Sequence, residues 1–145
     1  MNISKTGACM DFRNYKDSDF KELITLLKIN NSFDKMTDSR KIFKALVKQN
    51  PEAIILAVEG KKLAGYVFAI YTPFESYIHH LGVAPEFRKQ GIGSMLLARA
   101  EKALKCKGAK RADLFVSSKN CPALGFYKKK KWAWLERVLV MEKEL

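Results

Sequence analysis

The stretch Arg88-Lys89-Gln90-Gly91-Ile92-Gly93-Ser94 joins an extended apolar segment to an amphipathic segment that begins near Gly91. The first amides of a helix have no intrahelical acceptors, and the helix dipole is positive at that end. Glycines at a helix entry let the main chain approach a phosphate group closely. The sequence therefore predicts an anion site at this position, with a pyrophosphate group as the expected ligand.

Two familiar phosphate-binding loops do not fit this stretch. Only Gly91 and Gly93 are present, and no further glycine follows at the spacing of a Rossmann or a Walker loop. A plain strand-to-helix turn, in which the glycines only relieve crowding, stays open as an alternative on this motif alone.

A second motif, Asn120-x-x-Ala123-x-x-Phe126-Tyr127-Lys128-Lys129, follows one short predicted strand after the glycine-entered helix. Together with the first motif and the preceding Leu81–Phe87 segment, it resembles the GNAT superfamily of N-acetyltransferases. The two motifs cover about residues 77 to 132, and the first 70 residues match only in their order of elements.

The resemblance implies an acetyl-coenzyme A site. The main chain of Leu81 and Val83 is expected to contact the pantetheine arm, with the Val83 amide as the oxyanion donor. Asn120 is expected to contact either that arm or the fourth helix. The phosphate-side contacts are expected from Arg88, Lys89, Gln90, Gly91, Ile92, Gly93 and Ser94.

In this resemblance Tyr127 is the general acid that returns a proton to the leaving thiolate. Its hydroxyl has a reference pKa of about 10, close to that of a thiol. The alternative role is a core aromatic residue beside Phe126. The chain departs from the usual ending of this motif, a glycine and a phenylalanine, because Lys130, Lys131 and Trp132 follow here.

The general base is harder to assign. Many family members carry a glutamate where this chain has Tyr77 or Phe115. Strict alternation places His79 on one strand face with Tyr77 and Leu81, and arylalkylamine acetyltransferases are similar in carrying histidines on that strand. His79 is therefore a catalytic candidate, Glu75 acting through water is another, and a histidine hydrogen-bonded within the sheet is the structural alternative.

The apolar pattern and the resemblance predict one domain over residues 1–145. Its fold class is α/β, with a mixed, mainly antiparallel twisted sheet, splayed central parallel strands and about four flanking helices. The helices are expected at Asp17 to Lys28, Ser39 to Gln49, Gly91 to Lys107 and Pro122 to Lys129. The strands are expected at Cys9–Arg13, Ala53–Glu59, Leu63–Tyr71, Phe74–Val83, Arg111–Val116 and Trp132–Glu144.

Charge leaves a rival partner open. The chain has 27 Lys and Arg against 15 Asp and Glu, a formal charge of +12, which attracts polyanions. Nucleic acid is not favoured, because the charge is spread and the one dense run, Lys128–Lys131, forms no recognisable recognition helix. The basic balance also disfavours a strongly cationic acceptor, unless Asp34, Asp38 or Glu75 builds an acidic pocket.

The cysteines, Cys9, Cys106 and Cys121, are odd in number and widely spaced, so neither a disulfide framework nor a metal site is expected. No apolar run reaches the roughly 20 residues of a membrane span, which favours a cytoplasmic protein without a membrane partner. The expected reaction is acetyl transfer to a primary amine. The acceptor (a protein N-terminus, a lysine or a small amine), the acyl-chain preference and a homodimer stay open, as does a coenzyme A binding module with reduced catalysis.

Overall fold

The structure, a computed structural model, describes Gly7 and residues 9–145. It forms two compact units, one ending at Leu114 and one spanning Phe115–Leu145. The first unit contains β1 (Met10–Asn14), α1 (Phe20–Ile29), α2 (Arg40–Gln49), β2 (Ile54–Glu59), β3 (Lys62–Tyr71), β4 (Ser76–Val83) and α3 (Ile92–Cys106), with short 3₁₀ turns at Asp17–Asp19 and Pro85–Phe87. The second unit contains α4 (Cys121–Lys129).

The first unit is built on a four-stranded antiparallel sheet in the order β1-β2-β3-β4. Strand β2 is the most apolar, and its residues from Ile54 to Val58 are buried, as expected for a strand covered on both faces. A tight turn at Gly60, whose φ is +61°, joins β2 to β3, so the two strands expected at Ala53–Glu59 and Leu63–Tyr71 form a hairpin. The sheet leaves β4 at one edge, which is the strand that precedes the glycine-rich loop.

Helix α3 packs its apolar stripe against the sheet. Leu96, Leu97 and Ala100 are at most 1% exposed, and burying each leucine stabilises the fold by about 1.5–3 kcal/mol. A Cβ at Gly65 of β3 would lie 2.9 Å from Cδ1 of Leu96, so the glycine permits this close approach.

An aromatic cluster fills the space between the sheet and α2. The Phe43 ring in α2 packs edge-to-face on the Phe68 ring of β3, with 5.3 Å between the ring centroids. It also contacts the rings of Tyr15 and Phe20. Tyr66 of β3 contacts Phe68 at 6.3 Å. Because Tyr66 and Phe68 are two residues apart, both rings lie on the same face of β3.

The observed helices lie close to the predicted ones. Ser39 caps α2, since its hydroxyl accepts from the Ile42 amide at 3.3 Å. Helix α1 starts at Phe20, later than expected, because Asp17–Asp19 forms a 3₁₀ turn and Asp19 accepts from Arg13 and the Lys16 amide. Within residues 9–145, no helix has the length and apolarity needed to cross a bilayer.

Two predicted strands are corrected. The strand expected at Arg111–Val116 is reduced to one parallel bridge between Asp113 and Tyr77 of β4. The strand expected at Trp132–Glu144 is not formed, and residues 132–145 are irregular. Alternating apolar residues make a strand only where a neighbouring strand accepts its main-chain bonds. The sheet found among the described residues includes no strand from 132–145.

Candidate functional site

The main chain of β4 turns its polar groups outwards at Leu81 and Val83. The Ala84 amide donates to the Ala64 carbonyl at 2.8 Å, so that pair is hydrogen-bonded across β3 and β4. Antiparallel ladders alternate bonded and non-bonded pairs, and the residues opposite Leu81 and Val83 are Val67 and Gly65. The N–H and C=O groups of Leu81 and Val83 therefore point away from β3.

The Val83 carbonyl is held by two side chains. Nε of Arg88 donates to it at 3.2 Å, and Nδ2 of Asn30 donates at 3.4 Å. A terminal nitrogen of Arg88 also donates to Oδ1 of Asn30 at 2.8 Å. Arg88 thus braces the end of β4 against the end of α1. Within residues 9–145, its other N–H groups make no side-chain hydrogen bond.

Gly82 makes room for a polar network beneath β4. The Tyr66 hydroxyl accepts from Nδ2 of Asn30 at 3.1 Å and lies 3.4 Å from the Ser32 hydroxyl. A Cβ at position 82 would overlap the Tyr66 hydroxyl and would lie 2.6 Å from Nδ2 of Asn30. Only glycine lets the strand pass over this network at such short range.

The loop before α3 is curled by two residues with positive φ, Lys89 at +60° and Gly91 at +81°. Glycine adopts this conformation without strain, and position 91 is open, with no atom within 4 Å of a built Cβ. No side chain among the described residues caps α3, so the first-turn amides of Ile92, Gly93 and Ser94 lack a side-chain acceptor. This end of α3 can receive an anion.

A β-bulge interrupts β4 at the two histidines. Val67 pairs with Leu81 and Ala69 pairs with Ile78, so His79 and His80 together lie opposite Phe68. Their rings are 4.3 Å apart, although consecutive residues of a regular strand point to opposite faces.

The bulge corrects the predicted strand face. Tyr77 pairs with Ile70 and Leu81 pairs with Val67, and these partners are three residues apart on β3. Tyr77 and Leu81 therefore lie on opposite faces, not on one face shared with His79.

His80 is paired with a buried carboxylate. Its Nε2 lies 3.2 Å from Oδ1 of Asp38, and their side chains are 10% and 2% exposed. The second oxygen of Asp38 accepts from the Asp34 amide at 2.8 Å. Burial lowers the pKa of His80 and neighbouring His79 lowers it further, while Asp38 opposes both effects. The fold therefore favours the neutral form of His80.

The second unit positions the other motif. Oδ1 of Asn120 accepts from the Ala123 amide at 3.2 Å and caps α4. Burial raises the pKa of Tyr127 above 10.0, so its hydroxyl is protonated at neutral pH. The centroid of the Tyr127 ring lies 5.2 Å from that of Phe126 and 6.0 Å from that of Trp132. Lys131, with φ at +65°, occupies the left-handed position at the end of this helix.

Sequence likeness decides the family. The sequence model of the Acetyltransferase (GNAT) family matches residues 19–132. The chain belongs to the GNAT acetyltransferase family. The acetyltransferase SG1711 of Sodalis glossinidius (strain morsitans) is 26% identical over 136 residues, which cover 94% of this chain and 96% of that protein.

Solved structures share the GNAT fold. PaiA N-acetyltransferase from Thermoplasma acidophilum, solved in complex with coenzyme A, has a TM-score of 0.73 and 19% identity, covering 84% of this chain and 88% of that one. AAC(6')-Iy, solved with the bisubstrate analog CoA-S-monomethyl-acetylneamine, has a TM-score of 0.76 and 15% identity, covering 95% and 100%. The fold of this chain is thus that of GNAT acetyltransferases.

Sequence reasoning for this GNAT chain missed the Asp38–His80 pair. The histidine doublet was visible, but regular alternation gave no reason to join His80 to a residue 42 positions earlier. Among the other predicted candidates, Glu75 lies in an exposed turn and accepts from the Tyr77 hydroxyl, which raises the pKa of Tyr77. Asp38 is not available as a free acidic lining residue, because His80 occupies it.

Proposed function

We propose that this chain transfers the acetyl group of acetyl-coenzyme A to a primary amine on a protein N-terminus, a lysine or a small molecule. The observation that carries the proposal is the outward-facing main chain of Leu81 and Val83, followed directly by the uncapped N-terminus of α3. This arrangement offers a hydrogen-bonding edge to the pantetheine arm and free amides to the pyrophosphate. Membership of the GNAT family supports the same use of both.

The residues proposed to bind acetyl-coenzyme A have distinct roles. The Val83 amide is the proposed oxyanion donor, because its direction is fixed by the brace from Arg88 to the Val83 carbonyl. The loop residues Lys89 and Gln90, together with the amides from Gly91 to Ser94, are proposed to receive the phosphates. Asn120 is proposed to act by capping α4 and so presenting the pantetheine side of that helix.

The proposed reaction is direct attack of the amine on the thioester carbon. A C–N bond forms, the C–S bond breaks, and Tyr127 gives its proton to the leaving sulfur. The raised pKa keeps Tyr127 protonated until that step. The sequence leaves the base open between His79 and Glu75 acting through water.

Calorimetric titration of the purified protein with acetyl-coenzyme A, free coenzyme A and a DNA oligonucleotide at two salt concentrations tests the proposal. We expect saturable one-site binding of both coenzyme forms, followed by thiol release when amines are added. Coenzyme binding without turnover of any amine would indicate a binding module. Salt-sensitive DNA binding without coenzyme binding would reject the proposal in favour of a basic nucleic-acid-binding protein.

A further inference from the structure

We propose that His80 is the catalytic base of this acetyl transfer and that Asp38 is its positioning residue. The inference rests on the proposed function and assigns the proton-accepting role to His80 instead of His79. Its basis is the placement of a buried carboxylate behind an imidazole in the strand that carries the coenzyme-facing main chain.

The hydrogen bond selects one tautomer of His80. An ionised carboxylate only accepts hydrogen bonds, so Nε2 of His80 carries the hydrogen that points to Oδ1 of Asp38 at 3.2 Å. Nδ1 then keeps its lone pair and is the atom that can receive a proton. Asp38 is itself fixed, because its other oxygen accepts from the Asp34 amide at 2.8 Å.

The surroundings hold the ring still. The rings of Phe68 on β3 and His80 pack edge-to-face, with 5.0 Å between their centroids. The bulge also places the His79 ring beside the His80 ring. The titratable groups that face His80 are His79 on β4 and the carboxylates of Asp38 and Asp34 before α2. The two carboxylates favour the imidazolium that forms after proton transfer, whereas His79 opposes it.

His80 also has a suitable place on the strand. It directly precedes Leu81, whose main chain faces the edge proposed to hold the pantetheine arm. His79 is exposed and no carboxylate partner of its ring is described, so it lacks the orientation that Asp38 gives to His80. A base must be oriented before its basicity matters.

The proton balance is complete with these groups. The acceptor enters as an ammonium ion and loses one proton to Nδ1 of His80, which later releases it to water. The neutral amine forms the C–N bond, the C–S bond breaks, and the thiolate receives its proton from Tyr127. Tyr127 is restored by the second proton leaving the nitrogen, so the products are the amide, the coenzyme thiol and one proton in water.

The test compares His80→Gln with His79→Gln in the full chain. Glutamine keeps a donor near the Nε2 position for Asp38 but cannot accept a proton at neutral pH. Acetyl-coenzyme A is used with four acceptor probes: a peptide with a free α-amino group, an α-blocked lysine peptide, spermidine and glucosamine. Product is measured by mass spectrometry from pH 5 to pH 9, and coenzyme affinity is measured by calorimetry as the folding control.

We expect His80→Gln to lower kcat by about 10²-fold to 10⁴-fold and to leave coenzyme affinity unchanged. The acidic limb of the pH profile, which is the fall in kcat as the base becomes protonated at low pH, should disappear in this variant. His79→Gln should change kcat by less than about tenfold and keep that limb. Asp38→Asn should move the limb to lower pH, because the carboxylate raises the pKa of His80. This third variant retains the test if His80→Gln does not fold.

If the wild type turns over an amine and His80→Gln has the same kcat and the same pH profile, the inference is overturned and the proposed function stays intact. An unshifted acidic limb in Asp38→Asn would overturn the positioning role. Coenzyme binding by the wild type without turnover of any probe would instead overturn the proposed function, and the inference with it.

Discussion

The carboxylate of Asp38, just before α2, lies 3.2 Å from Nε2 of His80 in the bulge of β4, with both side chains almost withdrawn from solvent. The pair fixes the segment before α2 against the strand that leads into the glycine-rich loop. Because the folded protein lowers the pKa of His80 below 6.5, the unfolded chain binds a proton at higher pH than the folded chain does.

Folding stability should therefore fall on acidification. The contribution of neutral His80 is complete above the unfolded pKa of about 6.5, and it is lost as the pH falls from there towards the folded pKa. We expect the Tm of the wild type to drop more steeply between pH 7.5 and pH 5 than the Tm of His80→Gln. Equal slopes in thermal unfolding at several pH values would show that His80 is not held neutral by the fold.

Replacing Arg88 with lysine tests the brace on Val83. Lysine keeps the positive charge but lacks the planar guanidinium, whose Nε and terminal nitrogen donate separately to the Val83 carbonyl and to Asn30. We expect Arg88→Lys to weaken coenzyme binding about tenfold or more by calorimetry, since hydrogen bonds to charged groups contribute about 1.5–3 kcal/mol.

The matched control for that substitution is Arg99→Lys on α3. The guanidinium carbon of Arg99 lies 4.6 Å from the centroid of the Phe12 ring on β1, and Arg99 takes no part in the brace. Its substitution should leave coenzyme affinity unchanged. Equal affinities in Arg88→Lys and the wild type would show that Arg88 acts only as a charge.

A methyl group at position 82 should disrupt the network under β4. Gly82→Ala would overlap the Tyr66 hydroxyl and crowd Nδ2 of Asn30, so we expect a loss of about 1–3 kcal/mol in the free energy of unfolding. Gly125→Ala is the control, because no atom lies within 4 Å of its built Cβ and alanine favours the helix by up to about 1 kcal/mol. Denaturant titrations in which both variants match the wild type would refute the close approach.

Removing the Tyr127 hydroxyl separates acid catalysis from packing. Tyr127→Phe keeps the ring contacts with Phe126 and Trp132 and removes only the proton donor. We expect kcat to fall by about 10²-fold to 10⁴-fold, with coenzyme affinity unchanged in steady-state kinetics and calorimetry. Parallel loss of affinity and rate would assign Tyr127 to packing.

Much of the first unit could be predicted from local pattern. The bounds of β2, β3, α2 and α3 depend on residues that are close in sequence, so periodicity and turn chemistry found them to within about one residue. The bulge at His79 and His80 could not be found in this way, because an extra residue in a ladder is defined by its partner strand.

The same limit explains the missed pair and the missing strands. Asp38 joins His80 through tertiary packing over 42 residues, which no spacing rule encodes. The apolar alternation after Trp132 predicted a strand, yet a strand depends on a neighbour that accepts its hydrogen bonds. The roles of His79, Tyr127 and Asn120, and the single domain over residues 1–145, stay predictions.

Acetyl transfer to an amine is tested most directly by incubating the protein with acetyl-coenzyme A and the four amine probes. The masses of the amine products are then measured by mass spectrometry. Mass detection is preferable to thiol reagents, because Cys9, Cys106 and Cys121 are all exposed. We predict a product heavier by one acetyl group for at least one amine, formed in proportion to the protein added. Saturable coenzyme binding with no acetylated amine at any pH between 6 and 9 would contradict the account.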